Sequence, residues 1–213
     1  MKNLLIFGAG QGGKEIVKVL INGINKNKDV WNILGFIDND KKLNGKQIYG
    51  IPVRSKYEGK EKNVYAICSL RNNTIRKKII ENEIERNNYK LVSLIHPSVD
   101  LPDDVIIEPG AVIYPDVKIS YNVNIGKGVI INYNCLLGHD LTLGSFTFIG
   151  PSVTFPGRCK VGNGCLVGPG VTFMEGIEIG SESVIGVGTT VLSKVKGSTS
   201  VIDLPRKIVR DIN

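Results

Sequence analysis

The sequence predicts two joined architectures: an α/β unit over residues 1–94, then a coil of short stacked strands over 95–195, followed by a tail at 196–213. Three observations predict it. A large apolar residue returns at every sixth position from Ile95 to Val191. A short apolar run at residues 3–7 ends in the turn Gly8-Ala9-Gly10-Gln11-Gly12-Gly13 and gives way to a helical pattern. The formal charge of +7 on 213 residues is also uneven, at +9 over 1–94, −5 over 95–193 and +3 over the last 20 residues.

The first unit opens with the strand-like Asn3–Phe7, the glycine turn, and a helix whose apolar face is Ile16, Val17, Val19 and Leu20. Strand, glycine turn and helix together are the context in which G-x-G-x-x-G acquires a physical meaning. The glycines let the backbone turn tightly and approach a phosphate, and the helix N-terminus supplies N–H donors and positive dipole. A second strand, Ile33–Ile37, ends in Asp38-Asn39-Asp40, where an acidic residue is placed to meet a ribose. A third run, Val64–Ile67, precedes Cys68-Ser69 and a basic helix containing Arg76, and Leu91–Ile95 closes the unit. This is a Rossmann-like domain, too short for a full six-strand dinucleotide fold, which disfavours hydride transfer. Nucleotide or phosphate binding is expected, with Gly8, Gly10, Gly13, Asp38 and Arg76 as candidates; a glycine turn that merely joins strand to helix is the simpler alternative.

The second half is a repeat. All seventeen positions of the sixfold series from Ile95 are large and apolar, and the residues four further on are mostly small or branched. Glycine recurs just after the large residue, as at Gly126, Gly138, Gly144 and Gly162. Six fits neither the 3.6-residue helix nor simple strand alternation. It fits short strands joined by tight turns in which glycine or asparagine supplies positive φ, with successive coils stacked at ~4.8 Å. His139 falls at an outward phase of this repeat and is followed by a carboxylate, Asp140. A histidine titrates near working pH, and an adjacent acid orients it, which suits a general base.

Apolar residues make up 42% and charged residues 22%, the balance of a globular chain. No apolar run reaches the ~18–20 residues of a membrane span. The start is strand-like with no cleavage site, so neither a leader nor a membrane span is expected and the cytoplasm is the expected compartment. Lysines scattered among asparagines read as solvated surface, and no nucleic-acid partner is expected. Cys68, Cys135, Cys159 and Cys165 form no CxxC pair and only two histidines are available, so no metal site is expected. Three of the cysteines sit at the small-residue phase of the repeat and read as buried, reduced thiols.

With these motifs assembled, the chain resembles the hexapeptide-repeat sugar acyltransferases of the sialic-acid O-acetyltransferase and UDP-4-amino-sugar N-acetyltransferase family. The resemblance implies a left-handed parallel β-helix of 18 residues per coil, a homotrimer, acetyl-CoA as co-substrate and a nucleotide sugar as acceptor in surface-glycan or glycoprotein synthesis. It implies that His139 is the general base, Asp140 its partner and Asn132 a further site residue. Gly157, one coil beyond His139, takes the thioester oxygen on its N–H, and Gly168 and Gly186 flank the pantetheine. Lys194, Lys196, Arg206 and Lys207 are placed to meet CoA phosphates. Two positions depart from the family pattern: Gly12 and Phe148 stand where histidines are common. The activity implied is acetyl-CoA-dependent N-acetylation of a UDP-linked 4-amino sugar; the alternatives are O-acetylation of a sialic-acid-type hydroxyl and a non-catalytic nucleotide-sugar-binding trimer.

Overall fold

A computed structural model of the chain describes residues 1–26 and 30–203. Strand β1 (Lys2–Phe7) is apolar on both faces because it lies in the middle of a sheet, with Leu4, Leu5 and Ile6 fully buried. It pairs in parallel with β2 (Trp31–Ile37) on one side and with a strand at Tyr65–Cys68 on the other. Between these two in sequence lies a hairpin, β3 (Gln47–Ile48) and β4 (Ile51–Arg54), turning through Tyr49 and Gly50, both at positive φ as a tight hairpin requires. With β5 (Tyr65–Cys68) and β6 (Lys90–Leu91) the sheet has six strands in the order β3-β4-β2-β1-β5-β6. The strand count therefore exceeds the expectation, because a short hairpin carrying Pro52 shows no readable periodicity.

Helix α1 (residues 11–25) has a π-helical middle at Ile16–Ile21. Its buried Ile16, Val17, Leu20 and Ile21 share a core with Leu4, Ile6 and Phe36 of the sheet and with Val112, Tyr114 and Ile130 of the second half. Helix α2 (residues 73–85) begins at Asn72, whose side chain accepts the Ile75 N–H at 2.9 Å.

From β7 (Leu94–Ile95) onward the chain is a parallel β-solenoid. Two-residue strands recur every six residues from β8 (Ile106–Ile107) to β22 (Thr190–Val191), and β23 (Ser200–Val201) ends the series. Each strand pairs with the residue 18 positions on, as Ile125 with Leu143, so one coil has three faces. The sixfold apolar residues form one continuous interior, and Phe155 stacks on Phe173 at 4.5 Å.

One position of the sixfold series departs: Leu101 is 43% exposed and forms no strand. One coil later the equivalent ladder bond runs from Ser120 N–H to Leu137; at that phase in the first coil stands Pro102, which has no N–H to give. The corners are as regular as the strands. Every sixth residue from Gly110 to Gly188 has positive φ, including Asn122, Asn134 and Asp140. The glycine that follows the large residue plays a different part, since a Cβ at Gly144 would lie 2.4 Å from the Gly162 carbonyl carbon of the next coil.

Candidate active site

The corner after Leu137 carries the base candidate. His139 Nδ1 lies 2.8 Å from Asp140 Oδ2. A carboxylate only accepts, so Nδ1 carries the proton and Nε2 presents a lone pair. Asp140 is held in turn by Asn122 Nδ2, which donates to its other oxygen at 2.5 Å. The hydrogen bonds from His139 and Asn122 hold its carboxyl below the ordinary range, so it stays ionised as pH falls through the values where free aspartate protonates. The imidazole lies between two neighbouring coils. Tyr121, one coil before, stacks on it with centroids 5.3 Å apart and planes 9° from parallel. Gly157, one coil after, lies so close beneath it that a Cβ there would be 2.3 Å from Nε2. Gly157 is buried, and its N–H donates to no group among the described residues. A lone-pair nitrogen and an unclaimed backbone donor thus stand side by side, which is the arrangement acyl transfer needs.

The glycine turn forms a second locus. Gly8 has φ +102°, and a side chain there would strike Ser69. Gly13 packs under the Gly8 carbonyl, whereas Gly10 is exposed with open space above its Cα. Asp38 accepts the Ala9 N–H at 2.8 Å and the Asp40 N–H at 2.9 Å, which fixes its carboxylate at the end of β2. Gly8 and Asp38 line a cavity of about 200 Å³ together with Asn39, Ser55, Leu70 and Glu83. On the far side of the turn a crevice of about 470 Å³ is lined by Glu15, Arg71, Asn132, Tyr133, Phe148 and Pro169. A narrower cleft lined by Gly12, Ser69, Arg71 and Asn132 adjoins it. The sequence reading missed Tyr121, Asn122, Arg71 and Glu15. The first two were open to discovery by stepping back 18 residues from His139 and Asp140; nothing in the sequence marks the others.

The remaining expected residues separate into those the fold gathers and those it does not. His139, Asp140 and Gly157 come together. Asn132 sits on a different corner of the solenoid, its amide donating to Ile149 O at 2.7 Å, and Gly168 and Gly186 lie along the corner one face further on. Arg76 requires a correction. It is fully buried, and its guanidinium donates to the carbonyls of Leu70, Arg71, Gly128 and Phe146, each within 3.0 Å, and to Asn73. No donor is left for a nucleotide; the residue binds α2 to the solenoid, and burial lowers it only to about 10, so it remains a cation at neutral pH. Lys194 is paired with Glu178, whereas Arg206 and Lys207 lie outside the described residues. Among the described residues no group of three His, Cys, Asp or Glu side chains is placed to hold a metal, and no helix is long and apolar enough to cross a membrane.

Comparison with known proteins follows the same division. Residues 3–82 match the family model described as PglD N-terminal domain, and residues 158–193 match that of the bacterial transferase hexapeptide (six repeats). No curated protein sequence matches. Among solved structures, PerB from Caulobacter crescentus in complex with CoA and GDP-perosamine is 24% identical, with 99% of this chain and 98% of that one covered and a TM-score of 0.83. The acetyltransferase domain of PglB from Neisseria gonorrhoeae, in complex with acetyl coenzyme A, is 23% identical over 93% of this chain and 95% of that one, with a TM-score of 0.80. WeeI from Acinetobacter baumannii is 20% identical over 98% and 100% of the two chains, with a TM-score of 0.86. These likenesses extend over nearly the whole length and establish the shared fold. The chain accordingly belongs, half by half, to the PglD N-terminal domain family and to the bacterial transferase hexapeptide family.

Proposed function

We propose that this protein is an acetyl-CoA-dependent N-acetyltransferase whose acceptor is a nucleoside-diphosphate-linked amino sugar. The observation that carries the reading is the juxtaposition of the His139 lone-pair nitrogen with the Gly157 N–H. In the reaction the acceptor amine attacks the thioester carbonyl, a C–N bond forms and the C–S bond breaks. His139 Nε2 takes the amine proton, and the CoA thiolate leaves and is protonated, so acetyl-CoA and amine become amide and free thiol. The Gly157 N–H holds the carbonyl oxygen as negative charge develops on it. Asp140 keeps the imidazole in the required tautomer and steadies the imidazolium that forms. No covalent enzyme intermediate is needed.

The cavity beside Gly8 and Asp38 is assigned to the nucleoside, and the crevice at Asn132, Tyr133 and Phe148 to the sugar. The PerB complex with CoA and GDP-perosamine, on the same fold, supports this pair of substrates. Asn132 and His139 occupy different corners of one chain, which supports the expected homotrimer: a neighbouring copy brings one corner against the other. The sequence reading favours UDP as the carrier, and the GDP sugar of that neighbour makes GDP the alternative to include. The test follows free-thiol release from acetyl-CoA with UDP- and GDP-linked amino sugars. Turnover is expected with at least one acceptor, and His139→Ala is expected to lower kcat by about 10³-fold. Full turnover in that variant, or none in the wild type with any acceptor, overturns the reading.

A further inference from the structure

The crowding around His139 assigns a task to a residue that carries no chemistry of its own. Tyr121 precedes His139 by one coil, and its ring is 54% exposed, so burial does not account for its position. The two planes lie within 9° of each other. The corner that carries Tyr121 is itself tied down: the Asn122 N–H donates to Asp104 at 2.9 Å, and the Asn122 amide reaches forward to Asp140. The imidazole therefore has one face on Tyr121, the other on Gly157, and one edge on Asp140. Gly157 offers no side chain to grip the ring, and a single Nδ1–H bond permits the ring to pivot about its own axis. Only Tyr121 fixes the plane.

We propose that Tyr121 is a positioning residue that holds the His139 imidazole flat, so that Nε2 stays beside the Gly157 N–H while the amine attacks. Its electron-rich face also favours the imidazolium formed in that step. The proposal rests on His139 acting as the base. Because the task belongs to the ring and not to the hydroxyl, phenylalanine replaces tyrosine and an aliphatic residue does not.

The experiment compares Tyr121→Phe and Tyr121→Leu with the wild type. Tyr121→Leu is expected to lower kcat about tenfold, with KM for acetyl-CoA and for the acceptor unchanged, and Tyr121→Phe is expected to retain wild-type kcat. A second readout needs no turnover. The chain has only two histidines, His96 and His139, so the proton spectrum carries two imidazole Cε1–H lines, and His139→Ala identifies the second. The ring current of a stacked aromatic shields that line; it is expected to move downfield in Tyr121→Leu and to stay in place in Tyr121→Phe, with the His96 line unmoved in both. Wild-type turnover with unchanged kcat in Tyr121→Leu, or an equal loss in Tyr121→Phe, overturns this inference alone. A stationary His139 line in Tyr121→Leu overturns the stack itself. Absence of turnover in the wild type overturns the acetyltransfer reading together with the role given to Tyr121, whatever the spectra show.

Discussion

At the scale of single residues, the site turns on how little room surrounds one ring. Gly157 is required because the imidazole occupies the volume a side chain would take. Gly157→Ala is expected to displace the ring and lower kcat by about 10²-fold while leaving the circular dichroism spectrum unchanged; a near-normal kcat would show that the ring need not lie where it does. The sequence revealed His139 and Asp140 because both depart from the apolar phases of a strict repeat, and a polar pair facing outward is conspicuous against such a background. Arg76 was misassigned for an equally physical reason. A basic side chain on a helix reads the same whether it reaches solvent or turns inward onto backbone carbonyls, and only the packing of α2 against the solenoid distinguishes the two. Tyr121 escaped notice because its partner is 18 residues away, and an exposed tyrosine at a turn carries no signal until the coil length is known.

Among the elements, α2 is the one that joins the halves. Arg76 supplies the carbonyls of Gly128 and Phe146 on the solenoid, and Asn73 reaches those of Gly164 and Cys165. Arg76→Met strands these buried acceptors. It is expected to lower the unfolding free energy by about 3 kcal/mol, read from urea denaturation, and Arg76→Lys is expected to recover little because one ammonium cannot reproduce the planar fork. A loss below about 0.5 kcal/mol would show that the joint is held elsewhere. The strands of the solenoid were legible one by one, since each large apolar residue announces its own turn of the coil. The hairpin of β3 and β4 was not, because a strand of two residues beside a proline has neither length nor alternation to read. The π-helical middle of α1 was equally hidden, for its apolar spacing differs little from that of an α-helix.

For the molecule as a whole, the interior is sealed and reduced. All four cysteines are free and buried, and burial pushes the Cys68 and Cys135 thiols up to about 11. An acid whose folded-state pKa is raised binds its proton more tightly when folded. Its contribution to stability is therefore present below the unfolded thiol value of about 8.5 and is lost as pH rises from there toward 11. The urea midpoint is accordingly expected to fall between pH 8 and pH 10.5, and to fall less in a Cys68→Ala, Cys135→Ala double variant. An equal fall in both proteins would place the effect on other groups. Charge is arranged on the same large scale: the basic α/β unit and the acidic solenoid identify two bodies more than they identify a polyanion partner. The 18-residue step has one more consequence. Tyr121, His139 and Gly157 meet because they are equally spaced along the chain, so the site is set by counting. Substitutions along residues 122–156 can be many and leave that count intact, whereas one added or deleted residue there shifts every later partner and dismantles the site without touching any of its members.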